Sequence, residues 1–409
     1  MARSDVKLIM VTDSNSNKFY DMHDNGNGTF NAHWGRVGTD GKITVYSIDK
    51  WDEIYYQKVR KGYEDVTANY GKVSSSYAPC TDSEINNLLN KFLENSRQYV
   101  SYFTDTQMIS DTAAAEAQRY INLMAKNIDE VDPDQYTLNE FRRYQLKLFE
   151  IIPRKMSKVQ ESLCQSLRDR PNVVQREQSL LDNMVNLTQN APKANNANQT
   201  IEDAFGFTLE KCTPAEVDMI KDKLNKDGFN SGRFTFSRVF KITTPQREAA
   251  FQDYLDNNNL KNNKTNVKMY YHGTGTENIL SILSNGLLIK PSNATHTGSM
   301  FGEGIYTAPS VDKASGYTSI SGSYWKGGSS NFGYLFITAV IMGKQYDVSD
   351  NYETYGGIKI YNLDGDKFSS ANLGYHSVYA HKGSSLRRDE CIVYNSAQCA
   401  CRYLVEYQI

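Results

Sequence analysis

One stretch of the chain combines side chains that can hold a flat ring with a backbone that can turn closely around it. His272, Tyr306 and Tyr317 provide an imidazole and two phenol rings, and Gly302 and Gly304 interrupt the segment between them. Glycine lets a ligand approach the backbone and permits turns in which a Cβ would clash. Aromatic rings stack on planar groups and attract cationic ones. These residues therefore predict a pocket for a planar, partly cationic ring.

Local signals indicate which elements position these side chains. Alternating apolar residues from Val267 predict a strand that ends at His272, and the short helical stripe that follows stops at Gly286. Further strands are predicted at 334–342, 390–394 and 403–409. Because strands outnumber helices here and most connections are loops, residues 205–409 are expected to form an α+β domain with antiparallel sheets.

The usual dinucleotide-binding fingerprint is missing from this stretch. Gly273 and Gly275 are followed by Asn278, where the G-x-G-x-x-G pattern needs a third small residue. The sequence also contains no G-x-x-x-x-G-K-[ST] loop. If the chain binds NAD, it must do so in another way.

Four short motifs around the predicted pocket carry a family resemblance. In chain order they are Tyr271–Thr274, Met300–Tyr306, Lys313–Tyr317 and Asp389–Tyr394. Together they resemble the catalytic domain of the poly(ADP-ribose) polymerases, whose His–Tyr–Glu signature falls on His272, Tyr306 and Glu390. The resemblance implies that NAD is a substrate, that ADP-ribose passes to a protein or a growing polymer, and that no metal takes part.

The resemblance also implies a role for each residue of the pocket. Glu390 would stabilise the positive charge that develops at the ribose as the C–N bond breaks, and would orient the attacking hydroxyl. His272 would fix a ribose hydroxyl, the Gly273 backbone would hold the nicotinamide amide, and Tyr306 would stack on the ring. For Tyr306 and His272 the alternative is ordinary core packing, and for Glu390 a solvated strand end.

The motifs depart from the family pattern at several positions. Tyr317 matches the pattern, and it is expected to enclose the nicotinamide ring together with Tyr306. Thr274 departs from it, because the family usually has there a serine that touches NAD. The serine that bonds the nicotinamide amide is replaced by Ala314. Either Ser315 takes over that contact, or NAD binds more weakly by one neutral hydrogen bond. Lys313 matches a basic residue that lies near the glutamate in relatives.

Residues 1–75 are predicted to form a small β-rich domain, because short strands alternate with Asn-Gly and Asp-Gly turns. A helix is expected at about 47–61. The segment around Trp34 and Arg36 resembles the WGR domain, which implies binding to DNA ends or nicks. Ten basic and ten acidic side chains give this domain no net charge of its own. The alternatives are that Trp34 fills the core and that Arg36 bridges to the next domain.

Residues 81–190 are predicted to be all-helical, with a capping box at Thr81–Glu84 and three strong apolar stripes followed by weaker helices at about 155–168 and 174–187. The block resembles the helical regulatory domain of DNA-dependent members, which shields the NAD site until DNA binds. This implies that deleting residues 81–190 raises basal activity.

Composition sets the remaining expectations for the 409-residue chain. A net charge of −2 indicates no general affinity for nucleic acid. No apolar run is long enough to cross a bilayer. Without such a run we expect no membrane contact. The resemblance and the pattern of elements together imply a multi-domain α+β protein located in the nucleus. We expect it to be a DNA-break-stimulated poly(ADP-ribosyl) transferase that modifies proteins including itself. The alternatives are single-unit transfer on the same scaffold and a DNA-end-binding scaffold with an inactive transferase.

Overall fold

The computed structural model describes residues 3–70, 76–106, 108–128, 130, 133–192, 198–289, 300–324, 326–371 and 373–409. Contacts divide the chain into two compact units. The first contains the described residues of Met1–Ser74 and Arg97–Ala191, and the second those of Ser75–Ser96, Pro192–Ser292 and Gly298–Ile409. The multi-domain α+β class predicted from the sequence is confirmed.

The strands are β1 (Val6–Val11), β2 (Asn17–Asp24), β3 (Thr29–Arg36), β4 (Lys42–Ser47), β5 (Glu64–Asp65), β6 (Thr208–Lys211), β7 (Thr235–Thr243), β8 (Val267–Gly273), β9 (Ile305–Thr307), β10 (Phe332–Ile341), β11 (Gln345–Val348), β12 (Thr354–Tyr355), β13 (Ile358–Lys359), β14 (Ser377–Ala380), β15 (Glu390–Val393) and β16 (Cys399–Gln408).

The α-helices are α1 (Trp51–Arg60), α2 (Ser83–Phe103), α3 (Asp111–Ile128), α4 (Gln135–Ile151), α5 (Val159–Ser162), α6 (Arg170–Gln189), α7 (Ile201–Phe205), α8 (Pro214–Lys226), α9 (Pro245–Asn257), α10 (Ile279–Asn285), α11 (Val311–Ser315) and α12 (Gly365–Ala371). Among the described residues, none of these helices is both long and apolar enough to cross a membrane.

The first unit joins a five-stranded sheet to a group of helices. The sheet has the order β4-β3-β2-β1-β5, and its neighbouring strands run antiparallel as the turn signals predicted. One face is closed by Trp51 of α1 against Phe30. On the other face, Ile9 packs with Phe149 of α4 and Val159 of α5. The sheet and the helices therefore share a core.

The second unit is built around two sheets. The larger is antiparallel with the order β6-β7-β16-β10-β8. Its strand β10 is buried almost throughout because both faces are covered: Ile341 packs against Phe251 of α9, and Val340 packs against Val393 of β15. The smaller has the order β11-β14-β15-β9, in which only β11 and β14 are parallel. A bridge between Tyr271 of β8 and Ala308 brings the edges of the two sheets together. A capping box formed by Thr213 and Glu216 is present at the start of α8.

Two local predictions in the helical region were wrong. The residue that caps α2 is Asp82, not Thr81: its carboxylate accepts from the backbone N–H groups of Glu84 and Ile85 at 2.9 and 3.2 Å. A charged acceptor interacts better with the positive end of a helix, and the Glu84 side chain is drawn instead to Arg238. The helix expected at 155–168 is reduced to the single turn α5.

Candidate functional site

Three neighbouring strands bring the predicted site residues to one place. His272 lies at the end of β8, and its Nδ1 is 3.0 Å from the backbone oxygen of Tyr306 in β9. Tyr306 pairs in turn with Ile392 of β15, two residues beyond Glu390. Residues separated by more than a hundred positions in the sequence therefore meet where the two sheets adjoin.

The hydrogen bond of His272 fixes the state of its ring. Because the partner of Nδ1 is a carbonyl oxygen, Nδ1 must carry the proton and donate it. Burial lowers the pKa of His272, so the ring is neutral near pH 7 and its Nε2 is left as an acceptor. A neutral imidazole in this state can accept a hydrogen bond from a sugar hydroxyl.

The Tyr306 hydroxyl is hydrogen-bonded to the backbone of the glycine-containing loop that precedes it in the chain. It accepts from the backbone N–H of Phe301 at 2.9 Å and donates to the Gly302 oxygen at 2.7 Å. The Tyr394 hydroxyl, beyond the end of β15, donates to the Phe301 oxygen. Burial raises the pKa of Tyr306 well above its usual value, so this hydroxyl stays protonated. The Tyr306 ring is thereby held against the backbone of Phe301 and Gly302.

Glu390 begins β15 as half of a buried ion pair. Its Oε1 lies 2.6 Å from Nζ of Lys313 in α11, and each side chain is only 8% exposed. The Lys313 ammonium also donates to the Arg388 oxygen at 3.1 Å. Burial raises the pKa of Glu390 while Lys313 opposes that rise, and burial lowers the pKa of Lys313. The carboxylate is thus desolvated yet oriented by a cation.

The two tyrosines and the glutamate share one environment. The charge of Glu390 contributes to the raised pKa of both Tyr306 and Tyr317, after the larger effect of burial. Tyr317 comes two residues after α11, and its backbone N–H donates to the Ala314 oxygen at 3.1 Å. It therefore lies next to the short helix whose Lys313 pairs with Glu390.

The residues expected to contact the nicotinamide amide and the rest of NAD already make contacts within the protein. Ser315 is buried, and its hydroxyl donates to the Asp312 oxygen of its own helix at 2.9 Å. Ala314 is also buried, and its carbonyl oxygen would lie 1.8 Å from a Cβ added at Gly273. Gly273 is therefore required by the packing of α11 on β8. Thr274 is half-buried and accepts from the Asn278 side chain at 3.2 Å.

Gly302 also has a structural reason for its identity. Its φ is +86°, and an added Cβ would lie 2.3 Å from the Leu363 oxygen. The conformation and the close backbone contact both exclude a larger side chain. Packing within the protein thus accounts for this glycine without a ligand.

Trp34 and Arg36 differ in their surroundings. Trp34 is 39% exposed, and its indole N–H donates to Thr44 at 3.2 Å, so it does not fill the core. Arg36 donates through Nε to the Met156 oxygen at 3.0 Å and through its other nitrogens to Asn15. The sequence left open whether Trp34 fills the core and whether Arg36 bridges to the next domain. Trp34 does not fill the core, and Arg36 does bond to the helical region through Met156.

Comparison with known proteins agrees with this geometry. Residues 215–409 match the poly(ADP-ribose) polymerase catalytic domain, and residues 7–70 match the WGR domain. The chain is 31% identical over 195 residues to putative poly [ADP-ribose] polymerase-like 100L of Invertebrate iridescent virus 6, covering 46% of this chain and 92% of that protein. This chain belongs to the poly(ADP-ribose) polymerase family.

Other relatives extend the match within the family. Uncharacterized protein 101L of the same virus is 27% identical over 231 residues, which cover 54% of this chain and 95% of that protein. Poly [ADP-ribose] polymerase 2-B of Oryza sativa subsp. japonica is 23% identical over 451 aligned positions, covering 96% of this chain and 69% of the plant protein. As a member of the poly(ADP-ribose) polymerase family, the chain is an NAD-dependent ADP-ribosyltransferase.

Membership in the poly(ADP-ribose) polymerase family does not reveal how the site is held together. The anchoring of Phe301 by Tyr394 was missed, because the motif that contains Tyr394 gives no sign of where its hydroxyl points. Lys313 was recognised only as a basic residue near the glutamate. Its direct pair with Glu390 depends on the position of α11 against β15. Among the described residues, no cluster of His, Cys, Asp or Glu could hold a metal ion.

Proposed function

We propose that this protein is a DNA-break-stimulated transferase that builds poly(ADP-ribose) on proteins, including itself, and releases nicotinamide. The observation that carries the proposal is the meeting of a buried carboxylate, a neutral histidine and a tyrosine on adjoining strands, with a second tyrosine just after α11. Glu390, His272, Tyr306 and Tyr317 supply these groups. The test is incubation with NAD, with and without nicked or blunt DNA, followed by mass analysis of the products. Unmodified protein under all conditions would contradict the proposal.

The proposed mechanism assigns each group a task that its surroundings favour. Tyr306 and Tyr317 stack on the nicotinamide ring, the Gly273 backbone holds the nicotinamide amide, and Thr274 touches NAD. The neutral His272 accepts a hydrogen bond from a ribose hydroxyl. Glu390 stabilises the positive charge that develops at the ribose carbon, and low exposure strengthens that interaction because little water screens it. As the C–N bond breaks, the cationic ring nitrogen takes its electron pair and nicotinamide leaves as a neutral molecule. The acceptor hydroxyl forms the new C–O bond, and Glu390 can receive its proton.

Lys313 is expected to set the acid limb of the pH–rate profile. Glu390 acts as a carboxylate, so activity is lost as the pH falls through its pKa. The Lys313 ammonium opposes the effect of burial on that pKa. In Lys313→Gln the pKa should therefore rise further, and the acid limb of kcat should move to higher pH. The matched control is Lys382→Gln, an exposed lysine, which should leave the limb in place. An unmoved limb in Lys313→Gln would contradict the assignment.

Ala314→Ser is expected to strengthen NAD binding. The added hydroxyl would restore the bond to the nicotinamide amide, and a neutral hydrogen bond contributes about 0.5–1.5 kcal/mol, or roughly a 2- to 12-fold lower KM for NAD. The comparison variant is Ser315→Ala, because the Ser315 hydroxyl already donates to Asp312. We expect little change in KM there. If Ser315→Ala weakens NAD binding and Ala314→Ser has no effect, Ser315 makes the contact.

We propose that Trp34 and Arg36 contact a DNA end or nick, and that the protein acts in the nucleus. An exposed indole can stack on a terminal sugar or base, and Lys42 lies 5.9 Å from its ring centre. Trp34→Ala should abolish stimulation by nicked DNA and leave basal transfer unchanged. Ile43→Ala, at a more exposed apolar residue on the neighbouring strand, is the control. Stimulation that survives in Trp34→Ala would contradict this surface.

Product length separates polymer synthesis from single-unit transfer. Relatives of the chain carry both descriptions, since the Gallus gallus protein is named a mono-ADP-ribosyltransferase and the rice protein a poly [ADP-ribose] polymerase. Labelled NAD followed by gel electrophoresis should give a ladder of long products. A single modified species would support transfer of one unit on the same scaffold.

A further inference from the structure

A polar cleft lies in the second unit away from the candidate active site. Its walls are the end of α9, the middle of α12 and the segment that follows β15, and its volume is about 350 Å³. Glu390 is the first residue of β15, whereas Tyr394 and Asn395 of the cleft follow its last residue. The cleft is therefore at the opposite end of this strand from the catalytic carboxylate.

Gln398 presents an unused acceptor at the base of this cleft. Its side-chain nitrogen donates to the Ile341 and His376 oxygens, both at 2.8 Å, so both amide hydrogens are used. Within the described part of the chain the side-chain oxygen of Gln398 accepts no hydrogen bond, although the residue is only 1% exposed. A buried amide held in this way offers a fixed acceptor to a ligand.

The rim of the cleft adds donors and acceptors. The Asn395 oxygen accepts from the Ala397 backbone, which leaves its amide hydrogens available. The Asn258 nitrogen donates to the Tyr254 oxygen, which leaves its own oxygen available. Ser369 and Asn257 also line the cleft, and among the described residues their side chains make no hydrogen bond. Donors and acceptors are thus both present around one opening.

Charge excludes the phosphate-bearing ligands of the active site from this cleft. The described residues that line it include four carboxamides, three aromatic rings and one hydroxyl of serine, and no charged side chain. Asn257 ends the 13-residue helix α9, and the end of a helix carries a partial negative charge. An anion would find no cation here and would meet that negative end. The ligand should therefore be uncharged.

We propose that this cleft is a second small-molecule site, one that binds an uncharged nucleoside. A nucleoside offers both donors and acceptors on its base and its sugar, which matches the mixed groups of the rim. The volume lies at the small end of the range for ligand pockets, roughly 300–1,000 Å³, which suits a nucleoside better than a dinucleotide. Phe368 is fixed between Tyr355 and Tyr394, with ring centres 4.6 Å apart on each side, so one wall is already rigid.

The test is a titration with adenosine followed by ligand-observed NMR and calorimetry, on full-length protein saturated with ADP-ribose. ADP-ribose occupies the NAD site, and its negative charge keeps it out of the cleft. Wild-type protein should bind adenosine saturably with one site. Asn395→Asp keeps the oxygen that caps the Ala397 turn but replaces two donors by a negative charge, and should weaken binding at least 10-fold.

Two further variants keep the proposal falsifiable. Asn257→Ala, at an exposed helix end, should weaken adenosine binding several-fold, and Asn262→Ala, an exposed asparagine outside the cleft, should leave it unchanged. Thermal unfolding of each variant checks that the fold is intact. The proposal is overturned if wild-type protein shows no saturable binding of adenosine, or if Asn395→Asp binds it equally well. Either result leaves the transferase assignment untouched, because transfer from NAD is measured separately.

Discussion

Glu390→Gln is expected to reduce ADP-ribosyl transfer by about 10²–10³-fold, the usual loss when one group that stabilises transition-state charge is removed. The amide has the size of the carboxylate but neither its charge nor its basicity. DNA binding should be unaffected, because Trp34 and Arg36 lie in the other unit. The measurement is the rate of incorporation of labelled NAD beside a DNA-binding titration. Full transfer activity in this variant would remove Glu390 from the mechanism, and inactive wild-type protein that still binds DNA would favour the scaffold alternative.

The ion pair complicates this variant, and the structure supplies the control. Removing one partner of a buried pair leaves the other charge uncompensated, at a cost of about 3–5 kcal/mol in the free energy of unfolding. Glu390→Gln leaves the Lys313 ammonium in that position. Adding Lys313→Met should restore thermal stability while transfer stays as low as in the single variant. The surface variant Glu210→Gln should change neither property. A double variant that regains activity would show that the loss came from misfolding.

Short motifs predicted the chemistry of the site because each lies on one local element. His272 ends a strand and Glu390 starts one, as the sequence predicted, whereas the short strand that carries Tyr306 was not predicted. Their assembly follows from strand pairing, which joins β8, β9 and β15. Sequence reasoning could name these residues, but their assignment as catalytic groups stays a prediction until the variants are measured.

Contacts between distant segments account for what the sequence could not provide. Asp82, not Thr81, caps α2, and the Glu84 side chain that a capping box would use is bound instead by Arg238, more than 150 positions away. Trp34 was as compatible with a core as with a surface, and only the packing of the sheet shows that it is exposed. The sequence suggested that Gly273 is a glycine because a ligand binds its backbone. The structure adds a packing reason, since a Cβ at this position would clash with the Ala314 carbonyl.

Removing the helical block is expected to raise transfer in the absence of DNA. If the predicted domain at 81–190 shields the NAD site, its deletion should increase basal activity by about 5- to 150-fold, the range of typical allosteric coupling. The division of the chain into two units indicates where the deletion should begin. Residues 83–96 of α2 belong to the second unit, where Phe92 is fully buried and the Lys91 ammonium donates to the Tyr334 hydroxyl at 2.9 Å.

Two deletions therefore distinguish regulation from stability. Replacing residues 97–190 by a flexible linker keeps the contacts of Lys91 and of Ser96, whose hydroxyl donates to the Glu277 oxygen at 2.8 Å. Both deletions remove Phe149 and Val159, which pack against Ile9. Only the deletion of 81–190 also removes the contacts of Lys91 and Ser96 and exposes the apolar surface that Phe92 covers, so that variant should unfold at the lower temperature of the two. The shorter deletion should be active without DNA and gain nothing from nicked DNA. If it folds and its basal rate equals that of the intact chain, the helical block does not restrain the active site, and stimulation by DNA must act through another route.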